Sequence, residues 1–318
     1  MSGKSENAFY PVRGKAGGFR TGGAMGTVEE VFGARMREFT TVGIGGAADR
    51  MMFPQSSREV QAVLEPLRES GAEPLALGAG SNLLVSDEGV RGTVLCLKRH
   101  MGKVLFSGGA SVVAEAGTML PRLAVLCALS GLSGAEELAG IPGTVGGGLT
   151  MNAGAYGRSI AQILEWAEIV SFEGGLHRVA AREIRFSYRE SGFPLRGIVV
   201  RAGFRMEPAP TDRVFTRMKE LNEKRRAAQP WGERTFGSIF RNPGGKEGAG
   251  RLLERAGMKG AREGDLSISE KHANFMINRG RGSSGDALRL MERCREAVHA
   301  NAGVALVPEV RIWGKRDG

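Results

Sequence analysis

Apolar residues recur at helical spacing at Val60, Val63, Leu64 and Leu67, after Ser56-Ser57-Arg58-Glu59, which has the form of a capping box, and the pattern stops at Gly71. The spacing predicts a helix there. Pro74-Leu75-Ala76-Leu77 reads instead as a short buried strand that runs into Gly78-Ala79-Gly80-Ser81-Asn82, with Leu83-Leu84-Val85 continuing beyond it. Residues 93–98, 103–106 and 111–116 are further strand candidates separated by Gly-rich turns, and residues 121–130 predict a helix with Thr118 near its cap. Residues 140–157 read as one long Gly-rich loop. Residues 163–172 and 176–180 flank Glu173-Gly174-Gly175, a hairpin signal. Helices are expected up to about Arg226, over residues 250–256 and over residues 284–300, where Leu288, Met291, Cys294 or Arg295, and Val298 keep one face. Strands and helices alternate irregularly, which favours an α+β fold over a doubly wound sheet.

At 318 residues the chain is longer than one hydrophobic core usually organises. Pro208 and Pro210, two prolines within three residues, mark the expected boundary between a first domain of residues 27–208 and a second of residues 209–318. Residues 1–26 carry Lys4, Arg13, Lys15 and Arg20 against Glu6, four positive charges less one negative, so this Gly-rich segment reads as a flexible tail supplying +3 of a net +10. Apolar residues are 42% and charged residues 25% of the chain, ordinary for a globular protein, whereas 49 glycines are roughly twice the usual share. They gather in clusters, as tight turns and close backbone approach to a ligand require.

No apolar run reaches the roughly 18–20 residues that span a bilayer, and the N-terminus lacks a secretory apolar stretch, so a cytoplasmic location is expected. Cys96, Cys127 and Cys294 are widely spaced among apolar neighbours and read as small buried hydrophobes. His100, His177, His272 and His299 show no metal-ligand spacing, and no metal site is expected; His272 reads as a structural hydrogen-bonding residue. Neither a P-loop nor a Gly-x-Ser-x-Gly elbow is present.

The Gly78–Asn82 segment can turn successive backbone N–H groups toward a diphosphate, although the same pattern occurs in plain turns. Leu83 stands where the dinucleotide fingerprint needs its third glycine, which argues against a standard Rossmann site. Gly140-Ile141-Pro142-Gly143-Thr144-Val145-Gly146-Gly147-Gly148 places five glycines around a proline, interleaved with apolar residues that a flexible linker would lack. It reads as a ligand cradle. Asn152-Ala153-Gly154-Ala155-Tyr156-Gly157 continues it. Three polar segments remain: Ser187-Tyr188-Arg189, with an arginine in an aromatic setting; Gly237-Ser238, with a lone serine; and Pro308-Glu309-Val310-Arg311, with one carboxylate in an apolar strand. Each alone has a mundane explanation as a surface arginine, a turn serine or an edge-strand glutamate.

Together with Ile44-Gly45-Gly46 and Ser269-Glu270-Lys271-His272-Ala273, these segments, eight in sequence order, resemble the family of UDP-N-acetylenolpyruvoylglucosamine reductase, MurB, across residues 31–313. The resemblance implies a two-subdomain FAD-binding fold of the vanillyl-alcohol-oxidase type followed by an α+β substrate domain. It implies non-covalent FAD, NADPH as co-substrate and a UDP-sugar substrate in peptidoglycan precursor synthesis, with no membrane and no obligatory protein partner. It further implies catalytic roles for Arg189, Ser238 and Glu309. FAD contacts would fall at Gly45, Gly78, Ala79, Gly80, Ser81, Asn82, Gly140, Ile141, Pro142, Gly143, Gly146, Asn152, Ala153 and Gly154, and substrate contacts at Tyr188, Arg225, Arg226 and Asn242. Ala227-Ala228 stand where relatives often carry a lysine, and the short gap from Arg189 to Ser238 is similar to the subclass without a tyrosine-bearing insert. Two other readings are an oxidase of the same fold acting on another substrate and a basic nucleic-acid-binding module. The module reading lacks a basic stripe with interleaved aromatics.

Overall fold

The computed structural model describes residues 16–19, 28–245 and 247–314. Two five-stranded sheets carry the first two-thirds of the chain. The first has the strand order 16–19, 28–35, 47–53, 90–96, 75–77; its first two pairings are antiparallel and the last two parallel. The second has the order 176–180, 164–171, 197–205, 111–115, 104–107 and is antiparallel throughout.

Helix α1, Ser57–Glu69, lies between the sheets. Ser56 caps it by accepting the Glu59 amide at 3.2 Å, and Glu59 reaches back to the Gln55 amide at 2.9 Å. Its buried Val60, Val63 and Leu64 pack on Met52 and Leu95 of the first sheet and on Val170, Ile198 and Val200 of the second. Burying each such side chain contributes about 1.5–3 kcal/mol. One helix thus fastens two sheets.

Helix α2, Leu120–Leu129, starts at Met119, and Thr118 does not cap it; the Thr118 hydroxyl donates to the Lys103 carbonyl at 3.4 Å. The expected loop of residues 140–157 is partly helical. Val145–Thr150 form α3, capped by Thr144, whose hydroxyl accepts the Gly147 amide at 3.3 Å. Three consecutive glycines are poor helix formers, but Val145 and Leu149 are fully buried against the second sheet, and that packing overrides propensity. Helix α4, Thr211–Ala228, also packs Val214 and Met218 into this core. The chain therefore passes the prolines at 208 and 210 without changing cores, and the change comes after Gln229. No α-helical or strand insert separates Arg189 from Ser238 beyond the hairpin strand 190–192, the sheet strand 197–205, the short strand 207–208 and α4.

The last core holds α5, Ala249–Arg255, α6, Ser284–Ala302, and a small antiparallel sheet of residues 262–263, 266–268 and 276–278. Phe236, Ile239 and Phe240 fill its centre. Val42, Ile44 and Leu84 from the first subdomain enter the same core, and residues 311–313 pair in parallel with residues 83–85. The C-terminal region is thus joined directly to the first glycine loop.

Of the Gly-rich tail, residues 16–19 are a strand that pairs antiparallel with residues 28–31 and forms the edge of the first sheet. That departs from the reading of a flexible tail; residues 1–15 and 20–27 lie outside the described residues. The three cysteines are buried and unpaired, and burial pushes the Cys96 thiol up to about 11 and those of Cys127 and Cys294 to about 12, as inert core residues. No helix among the described residues is long and apolar enough to cross a membrane. None of their His, Cys, Asp and Glu side chains cluster in a group of three or more that could hold a metal ion.

Candidate active site

The Gly78–Asn82 loop leaves the edge strand 75–77 and turns at Gly80, whose φ of +64° is the left-handed region that glycine reaches without strain. A Cβ at Gly80 would collide with the Phe39 carbonyl, and one at Gly78 with the Thr144 hydroxyl. The two glycine loops are therefore in direct contact, and only glycine allows it. The amides of Ala79, Gly80, Ser81 and Asn82 donate to no acceptor among the described residues. Thr41 anchors the loop from outside, its amide donating to the Gly80 carbonyl at 3.1 Å.

Other expected contacts divide by what their backbone is doing. Gly146 donates its amide to the Ala116 carbonyl at 2.8 Å, so its missing side chain serves close packing of α3 on a strand. Gly45 is wedged between Met36 and Val85 with a similar role. The Ile141 amide donates to the Leu138 carbonyl at 3.0 Å and that of Gly143 to the Ile141 carbonyl at 2.8 Å, which folds the Pro142 turn back on itself. The Ala153 amide donates to the Gly148 carbonyl at 2.7 Å. Asn152 holds φ of +42°, donates through Nδ2 to the Ser187 carbonyl at 2.9 Å, and keeps a buried Oδ1 with no protein partner.

Tyr188 and Arg189 form the tip of the hairpin 185–187/190–192. Arg189 has φ of +57°, uncommon for a residue with a side chain. Its Nε donates to Glu309 Oε1 at 2.8 Å and its Nη1 to the Gly154 carbonyl at 3.1 Å. Tyr188 is half exposed, with the Arg189 guanidinium 5.2 Å from its ring centre. Glu309 is mostly buried, which pushes its carboxyl above the usual range, and Arg189 and then Arg241 pull it back.

Ser238 reaches the same place through the backbone. Residue 238 bridges Phe275, and the next residue, Ile239, accepts the Glu309 amide at 2.8 Å. The Ser238 hydroxyl has no hydrogen-bond partner among the described residues. Asn82 completes the assembly: its Nδ2 donates to the Glu309 carbonyl at 3.1 Å and its carbonyl accepts the Arg311 amide at 3.0 Å. The end of the first loop thus grips the irregular segment that carries the carboxylate, two residues before the strand 311–313 rather than in the strand that the sequence suggests.

The remaining expected residues lie further out. Arg225 donates to the Gly140 carbonyl, beside Tyr156, whose hydroxyl donates to the Leu221 carbonyl at 3.0 Å; burial lowers the Arg225 pKa. Arg226 stacks over Trp231 at 5.0 Å. Lys271 donates to the Arg226 carbonyl, next to Ala227-Ala228. Asn242 Oδ1 accepts the Ala249 amide at 2.9 Å, at the start of α5. His272 accepts the Asn274 amide at 3.2 Å through Nδ1, and burial lowers its pKa, in keeping with a structural role. Arg241, next to Asn242, has no signal in the sequence; its segment runs beside that of Glu309, with the Arg241 amide donating to the Val307 carbonyl at 2.9 Å, and its charge acts on Glu309. A cavity of about 300 Å³ between α1 and the 171–175 turn is lined by none of the residues named for the site.

The fit to a flavin dinucleotide rests on three of these features. Four consecutive free amides suit a diphosphate, a glycine floor keeps the concavity open, and the orphan Asn152 Oδ1 is an acceptor suited to a ring N–H. A two-subdomain α+β fold with this cradle, followed by a third core, defines an FAD-dependent oxidoreductase of the vanillyl-alcohol-oxidase architecture. Residues 48–180 match the model described as "FAD binding domain", and residues 229–313 the one described as "UDP-N-acetylenolpyruvoylglucosamine reductase, C-terminal domain". The chain is similar to UDP-N-acetylenolpyruvoylglucosamine reductase of Rubrobacter xylanophilus, 40% identical over 301 residues, covering 91% of this chain and 99% of that one. It is 39% identical to the reductase of the same name from Gluconobacter oxydans over 274 residues, 86% of this chain and 89% of the relative. The crystal structure of UDP-N-acetylenolpyruvylglucosamine reductase (MurB) from Thermus caldophilus superposes with a TM-score of 0.76 at 36% identity, over 90% of this chain and 99% of that one. The chain belongs to the UDP-N-acetylenolpyruvoylglucosamine reductase family.

Proposed function

We propose that this enzyme reduces the enolpyruvyl ether of UDP-N-acetylglucosamine enolpyruvate to UDP-N-acetylmuramate, with Arg189, Glu309 and Ser238 acting on the enolpyruvyl group. The observation that carries the reading is the Arg189–Glu309 pair, 2.8 Å long and drawn from segments 120 residues apart, set beside Ser238 and the glycine cradle. Bound in the glycine cradle and reduced by NADPH, FAD would supply hydride to the terminal carbon of the substrate's double bond, and the chain's own residues act on the charge this creates. Negative charge then develops on the adjacent carbon and its carboxylate. The guanidinium of Arg189 offers that carboxylate charge-assisted hydrogen bonds that strengthen as the charge grows. Glu309 orients Arg189 from the other side and, as an anion, is held off the substrate carboxylate by the guanidinium between them. Ser238 donates its proton to the carbanionic carbon; a hydroxyl is a weak acid, and this step requires the strongly basic carbon that hydride addition creates.

Tyr188, Arg225, Arg226 and Asn242 contact the substrate, with the cationic end of α4 available for its phosphates. NADPH and nucleotide sugars are metabolites of the cytoplasm, and the enzyme works there without an obligatory protein partner. Purified protein should be yellow, bleach with NADPH and recolour rapidly on addition of the UDP-enolpyruvyl sugar. Recolouring by oxygen alone at the same rate would favour an oxidase and reject the reading.

A further inference from the structure

Beyond the residues assigned to the chemistry, Glu190 and Arg241 join Arg189 and Glu309 in a row of four charges that crosses the boundary between subdomains. Arg189 and Glu190 are neighbours on the hairpin of the second subdomain, while Glu309 and Arg241 lie on adjoining segments of the C-terminal region. There Phe240 bridges Pro308 and the Arg241 amide donates to the Val307 carbonyl at 2.9 Å. Arg189 holds Glu309 at 2.8 Å and Arg241 approaches Glu190 at 3.9 Å, so two adjacent hairpin residues of opposite charge meet two residues of opposite charge across the boundary. The Arg241 Nε is fully buried and has no acceptor among the described residues. Leaving a charged donor buried and unmade costs about 1–3 kcal/mol or more, and a native structure keeps such a group for a reason.

Glu309 supplies the reason. Its carboxylate is largely withdrawn from water and depends on cations to stay charged, and the groups that face it are Arg189 from the hairpin and Arg241 from the adjoining strand segment, with Glu190 beyond Arg241. When Arg189 keeps its Nε on Glu309 and turns Nη donors to an incoming carboxylate, its charge is shared between two anions and Glu309 loses part of its partner. A buried carboxylate cannot go without one. We infer that Arg241 is a positioning residue for the Arg189–Glu309 pair, its unmade Nε–H being the donor that takes up Glu309 while Arg189 engages the substrate. Arg241 does not touch the reacting carbon; it acts by keeping Glu309 ionised and in place.

The inference rests on the function proposed above, and one experiment separates the two. Reoxidation of the NADPH-reduced holoenzyme by the UDP-enolpyruvyl sugar is followed by stopped flow across pH in wild type, Arg241→Met and Arg241→Lys, beside the thermal unfolding of each holoenzyme. A wild type that the sugar does not reoxidise removes the proposed function itself. Given a responsive wild type, Arg241→Met should slow reoxidation at neutral pH at least about tenfold. It should also move the acid limb of the rate profile to higher pH, because Glu309 has lost a cation. Arg241→Lys should recover the position of that limb. A folded Arg241→Met enzyme whose rate stays within twofold of wild type with the acid limb unmoved overturns the inference. So does a variant that loses thermal stability with an unchanged profile, which would make Arg241 a purely structural strut.

Discussion

The glycine cradle and the proposed catalytic trio sit against each other but are made differently. The cradle is backbone: Gly78 and Gly80 remove side chains so that two loops touch, and Ala79 to Asn82 present amides. The trio is side chains brought from a hairpin tip, an irregular segment and a strand end, held by one ion pair and a few backbone bonds. A backbone site tolerates change only where the chain path survives. A side-chain site can lose a functional group with its fold intact. Substitutions in the two regions should therefore fail in different ways.

The sharpest division is expected at Ser238. In Ser238→Ala the flavin should stay bound and be reduced by NADPH, while reoxidation by substrate falls about 10²–10⁴-fold, the usual span for a positioned proton donor. Normal reoxidation in stopped flow would take Ser238 out of the mechanism. Gly80→Val should show the opposite signature. A β-branched residue at φ of +64° that also strikes the Phe39 carbonyl should cost more than about 3 kcal/mol, and the protein should purify pale or fail to fold. A fully yellow, stable Gly80→Val protein would break the contrast between the two regions.

Glu309 gives a pH test. Its carboxyl stands above the usual carboxylate value, and only the ionised form orients Arg189, so the substrate half-reaction should decline as pH falls through that raised value. Glu309→Gln should abolish the decline as well as lower the plateau. Persistence of the same acid limb in Glu309→Gln would assign it to another group. The smallest effect is expected far from both regions, at the start of α6. There the Ser283 and Asp286 side chains cap each other's amides at 3.0 and 3.1 Å, and this holds the Asp286 pKa below its ordinary 3.8. A lowered folded-state pKa stabilises above the ordinary value, and that contribution disappears as pH drops through the lowered one. Asp286→Asn should cost about 0.5–1 kcal/mol in neutral denaturant melts, a difference that shrinks in acid, with turnover unchanged.

Much of the frame was legible because its signals are local. Ser56 and the stripe Val60, Val63 and Leu64 specify α1 within one stretch of chain, and Glu173-Gly174-Gly175 marks its hairpin in the same way. The sequence misleads where tertiary packing outweighs local preference. Gly146 to Gly148 read as loop, yet the Thr144 cap and buried Val145 and Leu149 make a helix of them. Pro208 and Pro210 read as a boundary, yet Val214 and Met218 of α4 return to the core the chain had just left. Arg189, Ser238 and Glu309 could be picked out only through family resemblance, since no spacing rule connects positions so distant. Arg241 carried no signal at all: an arginine in a short segment looks like any surface arginine until its Nε is found buried without an acceptor.

The parallel pairing of residues 311–313 with residues 83–85 also sets an order of events during synthesis. A ribosome releases the glycine loop more than two hundred residues before the strand that Asn82 grips, so the nascent protein can assemble its two sheets while the strand 83–85 stands open along one edge. Until residues 309–313 emerge, the carboxylate, its arginine and the loop cannot meet. The proposed site therefore waits for residues 309–313, and a nascent chain stalled short of them would expose an unpaired apolar edge, a target for chaperones or for aggregation.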